Sequence, residues 1–196
     1  MTAPTLPVVP PGWCVPPAQA VHDCPRPLAG RSPDPPTGLV DRPTFLARLR
    51  RELSVCGRGG GGVSVLCLRV EDLGAVDAVH GRGAGGGALV ALTGRLHAAL
   101  RLSDTLARTG GDRFAVICPG HTRPEQGVAV MDRLRTLAVE PVHLPGRVVR
   151  MTVRVGVAFS RDADLDDGGA SLLARAAAGT ADLGTADLVG DPGVSP

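Results

Sequence analysis

An α+β fold, an α/β sandwich with a central sheet flanked by helices, is what this sequence predicts. Three observations carry that reading. The apolar residues change period along the chain, from helical spacing to short unbroken runs and back, giving the order α-β-α-α-β-β-α-β-α. A hydrophobic fraction of 43% over 196 residues is enough to fill one core. Two short apolar runs flank Gly110-Gly111-Asp112, a hairpin signal because glycine tolerates the positive φ of a tight turn. The sheet is therefore expected to be mixed and mainly antiparallel.

In chain order, residues 1–33 are Pro-rich and lack a hydrophobic period, which reads as a disordered leader. The folded domain is expected over 34–185, with 186–196 a Gly/Asp/Pro tail. Asp41 can cap a helix that carries Phe45, Leu46, Leu49 and Leu53 at helical spacing. Val63 to Val70 is apolar enough for a central strand. A short helical piece, Asp72 to His80, precedes a helix with Leu89, Leu92, Leu96 and Leu100 on one face. After the hairpin, a helix from about Arg123 to Ala138 carries Val128, Met131 and Leu134. Val148 to Ser160 reads as one strand, and a helix from about Gly169 to Leu183 closes the fold.

Composition removes several function classes. A net charge of +2 is too balanced to argue for nucleic acid. All 21 basic residues are Arg, so no mechanism that needs a lysine is open to this chain. No apolar run reaches the roughly 18 residues of a membrane span, and the first residues lack a signal-peptide pattern. Five cysteines, an odd number without an export signal, suggest reduced thiols and a cytoplasmic protein. Cys67 and Cys118 lie in apolar runs and read as core residues. Cys14, His22 and Cys24 have no second pair at zinc spacing, so no metal is assigned to them.

Gly81-Arg82-Gly83-Ala84-Gly85-Gly86 fits G-x-G-x-x-G. A helical piece separates it from the preceding strand, whereas the dinucleotide fingerprint must follow its strand directly. It reads as a turn.

The phrase Arg108-Thr109-Gly110-Gly111-Asp112-Arg113-Phe114 resembles the signature of the GGDEF domain, the diguanylate cyclase family, with GGDRF in place of GGDEF. Asp34-Pro35-Pro36-Thr37-Gly38-Leu39-Val40-Asp41-Arg42-Pro43-Thr44-Phe45 resembles the family's D-x-L-T-G-L-x-N-R-x-x-F entry, with Pro36 and Asp41 as the substitutions. Thr152-Val153-Arg154-Val155-Gly156-Val157-Ala158 resembles its T-V-S-I-G-V-A strand. The resemblance covers roughly residues 34–185 and implies a nucleotidyl-cyclase-like palm.

It also implies a site, and this chain departs from it. Family members join two GTP molecules into cyclic di-GMP, with divalent ions held on carboxylates. Aligned through His80-Gly81, the family's D-x-D positions fall on Arg69 and Glu71, and the two acidic letters of GGDEF on Asp112 and Arg113. Two expected carboxylates are guanidiniums. The guanine-binding Asn and Asp fall on Asp77 and Gly86, of which Gly86 has no side chain to donate or accept. The triphosphate-binding Lys falls near Gly184. The nucleotide-binding positions assigned are Gly110, Gly111 and Asp77, although Asp77, unlike the family's Asn, accepts but cannot donate. No cofactor is expected, and Mg²⁺ only if cyclase activity persists.

A second guanine site is retained. Many family members carry R-x-x-D five residues before the signature as a product-inhibition site for cyclic di-GMP, and Arg101-Leu102-Ser103-Asp104 stands at that offset. Arg can donate to guanine O6 and N7 while a carboxylate accepts from N1–H and N2–H. Arg133 is the candidate for the family's supporting Arg. The bland reading of the same motif is a surface ion pair.

These residues lead to the expectation of a catalytically degenerate GGDEF domain that binds cyclic di-GMP as a receptor or regulatory module. Two alternatives stand beside it: an interaction module without nucleotide, and a cyclase with residual activity. Partners implied by the resemblance are cyclic di-GMP and a second GGDEF domain, in a homodimer or heterodimer, with no nucleic acid and no membrane.

Overall fold

The computed structural model describes residues 37–59, 61–71, 73–161 and 164–181. The Pro-rich leader, Cys14, His22, Cys24, Gly184 and the tail lie outside them. In chain order the elements are α1 (Arg42–Gly59), β1 (Gly62–Val70), α2 (Leu73–His80), α3 (Ala84–Ala98), β2 (Thr105–Arg108), β3 (Arg113–His121), α4 (Pro124–Ala138), β4 (Val142–Leu144), β5 (Arg147–Val149), β6 (Val153–Phe159) and α5 (Ala170–Ala178).

The main sheet has the order β2-β3-β1-β6. Its neighbours all pair antiparallel, in keeping with the mainly antiparallel sheet expected of the α+β palm, and the parallel contact among the described residues is an isolated bridge, Val40 to Ala107. Strand β1 sits between β3 and β6 and is buried along its length except at Arg69. Alternation of side chains gives it two apolar faces. Leu66, Leu68 and Val70 face a core built with Leu92 and Leu96 of α3 and Leu134 of α4. Val63, Val65 and Cys67 belong to a second core with Phe45 and Leu49 of α1 and Leu172 of α5. The result is a sheet covered on both faces.

Local signals account for most boundaries. Asp41 Oδ1 accepts the Thr44 backbone N–H at 2.8 Å, capping α1. In α4, Pro124 occupies the first turn, and the Gln126 side chain accepts the Arg123 backbone N–H at 3.1 Å. Val128 of that helix is 41% exposed, and Val130 takes the inward position with Leu134 and Ala138. The long strand expected over Val148–Ser160 is two elements: β5 pairs with β4 in a hairpin, and β6 starts at Val153. Pro145-Gly146 is the turn that makes that hairpin, with Gly146 at φ 72°.

Two buried polar arrangements fix the helices. Asp164, 1% exposed, accepts from Arg175 of α5 at 2.7 and 2.8 Å and from the Arg161 backbone N–H at 2.6 Å. Those bonds, the Arg175 guanidinium first among them, hold its carboxyl below the usual carboxylate range. His121 Nδ1 and Ser64 Oγ lie 2.8 Å apart, buried between β3 and β1. Gly127 of α4 passes over them so closely that a Cβ there would stand 2.6 Å from Ser64 Oγ.

Candidate functional site

The C-terminal end of β1 and the β2–β3 hairpin meet at one edge of the sheet. Antiparallel register places Arg113 opposite Arg69 and Arg69 opposite Arg154, a row of three arginines on neighbouring strands. Asp112 sits between the first two: its oxygens lie 3.5 Å from Arg69 Nε and 3.7 Å from Arg113 Nε. Glu71 is 2.6 Å from Arg154 Nε. The four residues expected at the degenerate catalytic positions, Arg69, Glu71, Asp112 and Arg113, are thus brought together. Arg154 was not among the site residues read from sequence. Its charge was visible in VRVGVAF, but its place beside Arg69 depends on a pairing between strands more than eighty residues apart.

The hairpin carrying Gly110 and Gly111 differs from its expected geometry. It closes through the Thr109 N–H to Arg113 C=O at 2.9 Å, and neither glycine adopts a positive φ. Arg108 Nη2 donates to the Gly111 carbonyl at 2.6 Å and braces the tip. No atom stands within 4 Å of where a Gly111 Cβ would be, so the tip backbone is open to an approaching group.

Asp77 lies apart from this row in its bonding. Its Oδ1 accepts the Gly85 N–H at 2.8 Å, near the start of α3, whose cap residue Gly83 offers no side chain. A carboxylate there also complements the helix dipole. The expected nucleotide-binding Asp77 is engaged in capping.

Magnesium, which the family's chemistry implies, does not fit the strand-end residues. Both carboxylates present are already matched to guanidiniums, and Arg69 and Arg113 stand where anions are needed. Two unit charges 4 Å apart interact by about 4 kcal/mol at an effective dielectric near 20, and a divalent ion doubles the repulsion from each cation.

The second cluster forms where α3 runs into β2. Arg101 and Asp104 face each other across a tight turn: the Asp104 N–H donates to the Arg101 carbonyl at 3.0 Å, and Asp104 Oδ2 accepts the Arg101 N–H at 2.8 Å. The Arg101 side chain is exposed and makes no ion pair with Asp104. Arg133 comes from α4. Burial pushes the Cys118 thiol up to about 12; Asp104 adds to the rise, and Arg101 and Arg133 oppose it. His121 is held below its ordinary pKa by burial, with Asp104 opposing and Arg101 adding.

A palm with this hairpin at its sheet edge defines a class, and comparison with known proteins gives it a family. The family model for the diguanylate cyclase GGDEF domain matches residues 32–179. The chain belongs to the GGDEF family. It is similar to diguanylate cyclase DgcP of Pseudomonas aeruginosa, 33% identical over 63% of this chain and 18% of that protein. Among solved structures it resembles the GGDEF domain of TpbB from Pseudomonas aeruginosa, with TM-score 0.69 and 27% identity over 76% of this chain and 86% of that one. It also resembles diguanylate cyclase SiaD of the same organism, solved in complex with its activator SiaC, with TM-score 0.68 and 29% identity over 76% of this chain and 56% of that one. The chain spans less than a fifth of the length of DgcP. No helix among the described residues is long and apolar enough to cross a membrane.

Proposed function

We propose that this GGDEF domain is a catalytically degenerate receptor or regulatory module for cyclic di-GMP, which it binds through Arg101, Asp104 and Arg133. The observation that supports the reading is the turn that joins Arg101 and Asp104, in which the carboxylate is bonded to the Arg101 backbone N–H and the exposed Arg101 guanidinium makes no ion pair among the described residues. The guanidinium of Arg101 supplies paired donors for guanine O6 and N7, and the outer Asp104 oxygen accepts from the Watson–Crick edge. Cyclisation of GTP is not part of this function, because the strand-end charges oppose the divalent ions that phosphoryl transfer needs.

The protein acts by reporting ligand to a partner. A GGDEF domain of a second chain and an activator-type protein, such as the one bound to SiaD, are the partner kinds this reading favours. Calorimetric titration with cyclic di-GMP tests the proposal. Arg101→Ala is expected to remove binding, a loss of about 100-fold if the bidentate contact contributes about 3 kcal/mol. Unchanged affinity in that variant would remove Arg101 from the site and overturn the proposal, and absence of binding by the wild-type protein would leave the interaction module without nucleotide.

A further inference from the structure

We infer that the arginine row at the end of β1 is a metal-independent site for a linear polyphosphate, the chain of linked phosphates found in a nucleoside triphosphate. The inference concerns a different place from the Arg101 turn and does not rest on it. Four observations carry it. Arg113, Arg69 and Arg154 occupy one row across three adjacent strands, each step about 4.8 Å. Arg69 is the one exposed residue of an otherwise buried strand. Arg69 and Arg113 touch Asp112 only at long range through Nε, and their terminal nitrogens make no hydrogen bond among the described residues. Beside them the Gly111 backbone is open.

Guanidinium forks match phosphate oxygens two at a time. Successive cations in a row meet successive phosphates of one chain, and the charge that magnesium supplies elsewhere comes here from the protein. Arg154, held on Glu71, contributes as a fixed cation at the row's end. Base recognition is not built in: Asp77 is engaged on Gly85, and Gly86 has no side chain. The ligand is accordingly read by its phosphates alone.

The test is calorimetry of the full chain with inorganic tripolyphosphate in EDTA, followed by ATP and GTP under the same conditions. Tripolyphosphate binds without divalent ions, and ATP and GTP bind with affinities within about threefold of each other. Arg113→Gln and Arg69→Gln each weaken binding about tenfold, the loss of one charge-assisted contact. Arg113 is 65% exposed, so its variant retains the wild-type melting temperature and keeps the test sound if Arg69→Gln does not fold. Absence of heat in EDTA, binding that requires Mg²⁺, tenfold preference for GTP over ATP, or wild-type affinity in Arg113→Gln would each overturn the inference.

Discussion

The protein holds two arginine–carboxylate clusters, and they are arranged in opposite ways. At the strand end, Asp112 lies between Arg69 and Arg113, and Glu71 is bonded to Arg154, so each acid is claimed by a cation. At the α3–β2 turn, half-buried Asp104 is bonded to the Arg101 backbone N–H, and the Arg101 side chain is left exposed. The first cluster sets three guanidiniums against two carboxylates and keeps an excess of positive charge, which disfavours a divalent cation. The second leaves the exposed Arg101 guanidinium outside any ion pair among the described residues, the donor fork that the proposed ligand contact uses. The same residue types thus make two different arrangements, and the difference lies in whether a guanidinium or a backbone N–H already engages the acid.

The buried Asp164–Arg175 pair sets the upper end of the scale for such contacts. Asp164→Asn is expected to cost about 2–3 kcal/mol of stability, read as a fall in melting temperature, because two charge-assisted bonds to Arg175 are weakened at a buried site. Its carboxyl titrates below the unfolded value near 4, so the native state binds fewer protons there than the unfolded chain. The stabilisation is complete above about pH 4 and is lost as pH falls through the lowered native value. Acid unfolding of Asp164→Asn should be correspondingly less steep.

Next in size is Asp104→Ala, which removes the acceptor of the second cluster and should weaken cyclic di-GMP by about 10-fold or more, measured by calorimetry. An equal affinity in this variant would erase the contrast between the clusters. His121 gives a smaller effect. Burial lowers its pKa, so stability is full above about pH 6.5 and declines as pH falls below it. His121→Gln should flatten that part of the pH profile. Asp112→Asn should change stability by less than about 1 kcal/mol, as its ion pairs are solvent-accessible.

Much of this was legible in sequence, for identifiable reasons. Helix α1 was readable because Asp41 and the Phe45, Leu49 and Leu53 spacing are local signals. The β2–β3 hairpin was readable because its turn lies between two apolar runs, although Gly110 and Gly111 do not take the positive φ expected of them. The break between β5 and β6 was missed because Val148 to Ser160 is rich in Val with no proline and no turn cluster at the break, and the Pro145-Gly146 turn that creates β4–β5 precedes it. The charge reversals at Arg69 and Arg113 follow from aligning short motifs. Arg154 joins them only through the register of β6 on β1, which no local pattern encodes. Likewise the capping role of Asp77 needed the fold that sets α2 against the start of α3.

Incubation of the purified protein with GTP and Mg²⁺, followed by chromatographic detection of the dinucleotide product, tests the central electrostatic claim most directly. The account predicts no cyclic di-GMP above a protein-free control. Steady accumulation of the product would show that divalent ions are held beside Arg69 and Arg113 after all, and would contradict it.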